Sequence, residues 1–250
     1  MAIQADARTS ADERRAHKAT LAALLLLERR ALVFLRHVVD PTRARIPVDP
    51  LEAAKVLGAR IADATRAIRG AARREGMARL QAEWLAVKRR LEAAGAKPPD
   101  RLPAPAAKAD LDALHAQRTG NAYEATVLRK TADAMGMNEG PSVAHIVRQA
   151  ESTLTSIATT EVSSAFSDER AKAMALTVAT YKAAEWVPML HQVWDATLDQ
   201  RTCSRCSALD GAIRPWGGDF PGGAVPGQVH PRCRCQAMPF VVHVAKRLVA

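Results

Sequence analysis

Four cysteines and a histidine are gathered in the last fifth of this chain. Cys203 and Cys206 have the spacing C-x-x-C, and His230, Cys233 and Cys235 follow in the run His230-Pro231-Arg232-Cys233-Arg234-Cys235. The chain has 250 residues and no other cysteine. Soft donors crowd in this way where a metal ion must be gripped, and zinc is the usual ion. A structural zinc site takes four S or N ligands, commonly two from a tight knuckle and two from a second segment. Cys203 and Cys206 have the knuckle spacing. The second segment offers His230, Cys233 and Cys235 where two donors are needed, so four of five bind. His230 is either the fourth ligand or a group hydrogen-bonded to a site of three or four thiolates. Cys233 and Cys235 share a face if their segment is extended, because side chains there repeat every second residue.

The residues between the two segments need such a clamp. Positions 207–229 hold glycines 211, 217, 218, 222, 223 and 227 and prolines 215, 221 and 226. This is turn chemistry, with little apolar surface to bury. A bound zinc ion would supply on the order of 10 kcal/mol to such a module. Two disulfides or a redox pair would also use these cysteines. However, the N-terminus shows no apolar stretch with a small-residue cleavage site, which predicts a reducing compartment. No βαβ pattern surrounds the C-x-x-C. Arg201 and Arg234 flank the thiolates and are expected to offset their charge. Asp199 and Asp210 are expected to cap turns around the knuckle.

A catalytic set is not legible. There is no glycine-rich phosphate loop and no H-E-x-x-H. Thr159-Thr160-Glu161 falls within a helical run, where a polar face is the ordinary explanation. A full set of donors also points to a structural zinc, since a catalytic site keeps one position open. The expectation is therefore no enzyme, no catalytic residue and no small-molecule substrate. Trp194 and Trp216 are expected to be core for a thin module.

Several elements must position the cluster. Aromatic residues make up only 4% of the chain, which favours helices packed by small residues. Ser10-Ala11-Asp12-Glu13 reads as a capping box opening a helix to about Val39, ended by Pro41, Pro47 and Pro50. A second helix starts near Pro50, with the stripe Leu51, Ala54, Leu57, Ile61, Ala64 and Ile68. Gly70 and Gly76 are expected to interrupt it before Met77, Leu80, Trp84, Val87 and Leu91 resume the stripe. Residues 95–108 contain four prolines and read as a semi-rigid linker. Helices are expected over 109–135, from Ser142 to about Phe166, and from Asp168 to about Trp186, with Pro188 closing the run. Three strands follow: His191–Thr197, Ala212–Trp216 and Ala237–Val244.

The expected fold is mainly α with a small C-terminal β module. Its parts are a helical N-terminal arm (1–94), the linker (95–108), a helical domain (109–188) and a Cys/His metal-binding β module (189–250).

Charge is uneven. The net value of +10 comes from the two ends, with 20 Lys and Arg against 12 Asp and Glu in residues 1–100 and 7 against 2 in residues 201–250. Basic ends fit contact with a polyanion. Groove-reading motifs are absent and aromatics for base stacking are few, so any double-stranded DNA would be held through phosphates; no residue is singled out for it. No apolar run reaches the length of a membrane span.

The motifs in order resemble those of one family. Ile157-Ala158-Thr159-Thr160-Glu161-Val162 precedes Ala165-Phe166. Trp194-Asp195-Ala196 leads to Leu198-Asp199-Gln200-Arg201-Thr202-Cys203-x-x-Cys206. Leu209-Asp210-Gly211 and the His230–Cys235 run close the set. This order is similar to that of the Mu protein F-like minor head proteins, or head morphogenesis proteins, of tailed bacteriophages. The resemblance covers roughly residues 110–240 and leaves 1–94 uncovered. It implies a virion component at the portal vertex or head interior, present in host cytoplasm during assembly. Its implied partners are the portal protein and the major capsid protein. Some relatives carry further C-terminal effector domains, and this chain is expected to lack one. The competing reading is a metal-dependent nucleic-acid-binding protein or enzyme using the Cys/His cluster.

Overall fold

The computed structural model describes residues 11–43, 45–93, 97–106, 109–136, 142–181, 186–196 and 202–246. Five helices come first: α1 (Ala11–Val39), α2 (Pro50–Ala93), α3 (Ala109–Gly136), α4 (Val143–Gln149) and α5 (Glu151–Tyr181). A small antiparallel sheet follows, formed by β1 (Trp186–Asp195), β2 (Ile213–Pro215) and β3 (Gln236–Lys246), with α6 (Ser204–Leu209) between β1 and β2. Mainly helical with a three-stranded C-terminal sheet is thus the observed fold class. Among the described residues no helix is long and apolar enough to cross a membrane.

The chain groups into two compact units assembled from separated stretches. The first takes residues 1–25, 72–106 and 163–250, and the second takes 26–71 and 107–162.

In the first unit the predicted stripe of α2 is the core. Leu80, Trp84, Val87 and Leu91 pack with Leu102, Ala173, Met174, Leu190 and Trp216. Trp84 and Trp216 meet edge to face at 5.6 Å. Each indole N–H finds a carbonyl: Trp84 donates to Pro99 at 3.0 Å and Trp216 to Met174 at 3.1 Å. Proline-rich residues 98–106 are therefore docked on α2. Gln81 donates to the Leu102 carbonyl and accepts from its N–H. Glu83 and Arg170 form a buried bidentate pair, at 2.8 and 3.2 Å. The Thr20 hydroxyl donates to Glu83, and Arg170 also reaches the Ala237 carbonyl of β3 at 2.8 Å.

In the second unit two glycines let helices touch. A Cβ on Gly120 of α3 would lie 2.5 Å from the Gly58 carbonyl of α2. Buried Arg69 pairs with Asp112 at 2.9 Å and Glu161 at 2.7 Å, and Thr119 donates to Glu161 at 2.6 Å.

Several boundaries differ from expectation, each for a packing reason. α2 runs through Gly70 and Gly76 without a break, because Gly76 serves close approach: its Cβ would meet the Phe166 carbonyl at 2.7 Å. Ser142 caps α4 as its type suggests, accepting from the His145 N–H. The break then falls at Ala150, and α5 continues through residue 167 to Tyr181. Glu161 is not on a solvated face but buried in the Arg69 pair. Pro188 ends no helix and lies within β1 opposite Val244, where β1 pairs with β3 alone. Ser10 lies outside the described residues. Glu13 is buried and pairs with Arg90 of α2 at 2.7 Å.

Candidate metal centre

The sheet order β2-β1-β3 places the C-terminal end of β1 beside the start of β3. Asp195 is opposite Gln236, so Trp194 and Ala196 stand next to Cys235. Three hydrogen bonds then fold the knuckle onto this end. Trp194 donates to the Ala212 carbonyl at 2.8 Å, Gly211 donates to the Trp194 carbonyl at 2.9 Å, and the Ala196 N–H reaches the Asp210 carboxylate at 2.8 Å. Asp210 is the C-cap residue of α6, but its carboxylate is bonded to Ala196, fourteen positions away, and so ties the turn to β1 where the sequence predicts a local turn cap. Gly211 has a φ of 73°, the left-handed conformation for which glycine is suited.

α6 is the knuckle. Cys203 is its N-cap, and the sulfur accepts the Cys206 N–H at 3.3 Å. That hydrogen bond draws the Cys203 thiol below its ordinary pKa. The loop returns over α5 of the same unit. Gly227, with φ of 79°, lies so close that a Cβ would clash with the Ser167 hydroxyl. A tight turn follows in which the Cys233 N–H donates to the His230 carbonyl at 3.1 Å. Arg232 sits in that turn with φ of 66°, a conformation that arginine does not signal in sequence.

The turn brings all five candidate donors together. Cys203, Cys206 and His230 form one triad and Cys206, Cys233 and Cys235 a second, with donor atoms within 4.8 Å of one another in each. Cys206 belongs to both. Its sulfur is 3.8 Å from that of Cys233 and 3.2 Å from Nε2 of His230. Ligands 2.3 Å from a tetrahedral centre stand about 3.8 Å apart, so the sulfur spacing fits a shared ion. The histidine is also set for this. Its Nδ1 is 2.6 Å from the Pro231 carbonyl, which can only accept, so Nδ1 carries the proton and Nε2 presents its lone pair to the cluster.

The electrostatics of the bare cluster are those of crowded acids. Burial raises the Cys206 thiol. Cys235 donates to Cys233, which lowers Cys233 and raises Cys235. Ionising Cys233 thus disfavours ionisation of the buried thiols beside it, and a cation among them would offset that. Cys206, Cys233 and Cys235 are buried within an apolar group that includes Trp194, Leu209, Phe220 and Ala224. Trp194 and Phe220 meet edge to face at 5.0 Å. Arg232 and Arg234 line the small cleft at Cys203, Cys206, His230 and Cys235, and Arg234 is buried there. Asp199 and Arg201 lie outside the described residues.

Fold and site together define a mainly helical protein whose small C-terminal sheet carries a knot of thiols and one imidazole. Residues 130–238 match the model of the family described as phage Mu protein F like protein. The match begins in α3 and ends in β3, so it contains all five donors. No curated protein and no solved structure matches the chain.

Proposed function

We propose that this protein is a minor head protein of a tailed phage and that a structural zinc ion holds its C-terminal module together. The family match supports a role in phage head morphogenesis. The observation that carries the metal reading is the convergence of five donors from two remote segments on the sulfur of Cys206. Bound there, zinc would cross-link the knuckle to the His230–Cys235 turn across a loop with little apolar surface. Cys206 holds the ion with three of Cys203, His230, Cys233 and Cys235. Arg234 beside them offsets thiolate charge. Five donors around a four-coordinate ion leave no open position for substrate, which favours a structural part over an enzyme.

In this reading the protein sits in the virion, at the portal vertex or the inner face of the shell, and the portal and major capsid proteins are its partners. Exposed Arg205 and Arg232 make the rim of the module basic, suited to phosphate contacts with packaged DNA. The N-terminal helices supply the partner-binding arm. The test is a phage encoding Cys206→Ser. Its heads are expected to lack the protein while the chain is still synthesised. Normal incorporation of a metal-free Cys206→Ser chain overturns the reading.

A further inference from the structure

We propose that the outward face of α1 in the second unit is a docking groove for an acidic, amphipathic helix of a partner protein. This rests on the reading of the N-terminal helices as a partner-binding arm. The inward face of α1 in that unit is accounted for, because Ala31, Leu35 and Val39 are buried. At 100° per residue Leu26 and Val33 fall on the opposite side, seven positions apart. They are 48% and 64% exposed, and Phe34 beside them is 42% exposed. A helix that is apolar on both faces has a second surface to cover.

Beside this stripe, on the same unit, is a shallow cleft of about 410 Å³ between α1 and α2. Phe34 and Val38 form its apolar wall, and His37, Arg43 and Arg60 line it. Its one carboxylate, Asp63, is held by Arg66 at 3.2 Å. Arg29 and Arg30 are exposed along the stripe. The surface is therefore apolar in the middle and cationic at its edges. From Leu26 to Val38 it runs about 18 Å, three helical turns. A helix with apolar side chains at i, i+3 or i+4 and i+7 fits this length, and carboxylates on its flanks meet the arginines. A DNA backbone would satisfy the arginines but offers nothing to Val33 and Phe34.

The full chain is titrated with two fluorescent helical peptides of about 18 residues. Both carry the same leucine and phenylalanine stripe, one with glutamates on the flanks and the other with lysines. The glutamate peptide is expected to bind, and the lysine peptide to bind at least about tenfold more weakly. Val33→Asp, at a site too exposed to disturb folding, is expected to weaken the glutamate peptide by about tenfold or more, and Arg60→Glu to narrow the preference. Equal binding of the two peptides, no binding of either, or displacement of the glutamate peptide by short duplex DNA overturns the proposal. None of these outcomes bears on the Cys206→Ser incorporation test, so the two readings fall separately.

Discussion

Two regions of the first unit are held by opposite means. Around Trp84 the helices bury large apolar side chains: Leu80, Trp84, Val87 and Leu91 are all fully buried. Each such side chain contributes roughly 1.5–3 kcal/mol when removed from water. Between Cys203 and Cys235 the chain is mostly turn, and three of the eight buried members of its apolar group are cysteines. A helix spreads its stabilisation over many small contacts along a stripe. With zinc bound as proposed, the Cys203–Cys235 loop would concentrate it on a few donor atoms, so a single substitution there should do more damage.

The sharpest way to break this contrast is to remove the donor common to both triads. Cys206→Ala is expected to abolish metal binding and open the 203–235 loop, losing most of about 10 kcal/mol of metal-linked folding energy. Isothermal titration with zinc and amide exchange would read both. Ala substitutions at Cys203, His230, Cys233 and Cys235 sharpen it further: the spare donor is the one whose loss leaves zinc affinity nearly unchanged.

Next in size is Glu83→Gln in the helical region. It leaves Arg170 buried without its counter-charge, and denaturant unfolding should show a loss of about 3–5 kcal/mol. Zinc affinity should not change. A smaller effect, about 1–3 kcal/mol, is expected for Gly120→Val, which drives a side chain into the Gly58 carbonyl of the second unit.

Acid offers a fourth probe. Burial alone would raise the Asp168 carboxyl, but Lys172 and Arg73 overcome it and hold the group below its ordinary value. Its contribution is therefore present above the usual carboxylate range and is lost as pH falls through the depressed value. Asp168→Asn should flatten that part of the stability–pH curve.

The parts of the molecule legible in sequence are those whose causes are local. The periodic stripe of α2 and the capping serine at 142 specify helices through neighbours a few residues away. The five candidate donors are picked out by residue type and spacing, and the structure brings them together. What escaped depends on partners far along the chain. Gly76 reads as a helix breaker until Phe166 is seen against it, and Glu161 reads as surface until Arg69 is. Glu83 and Arg170 are separated by 87 positions, and no periodicity joins them. Pro188 reads as a stop because its strand is defined by pairing with β3. The shared position of Cys206 was likewise hidden, since the left-handed turn at Arg232 gives no sign in its residue type.

The central claim is that an ion joins the knuckle to the His230–Cys235 turn. Elemental analysis of the intact, reduced chain, paired with amide exchange before and after chelation, tests it most directly. The account predicts bound zinc, and on its removal rapid exchange in Ser204–Leu209 and at Cys233 while the amides of α2 around Trp84 stay protected. A chain that carries no metal and keeps the amides of α6 and Cys233 protected would contradict it.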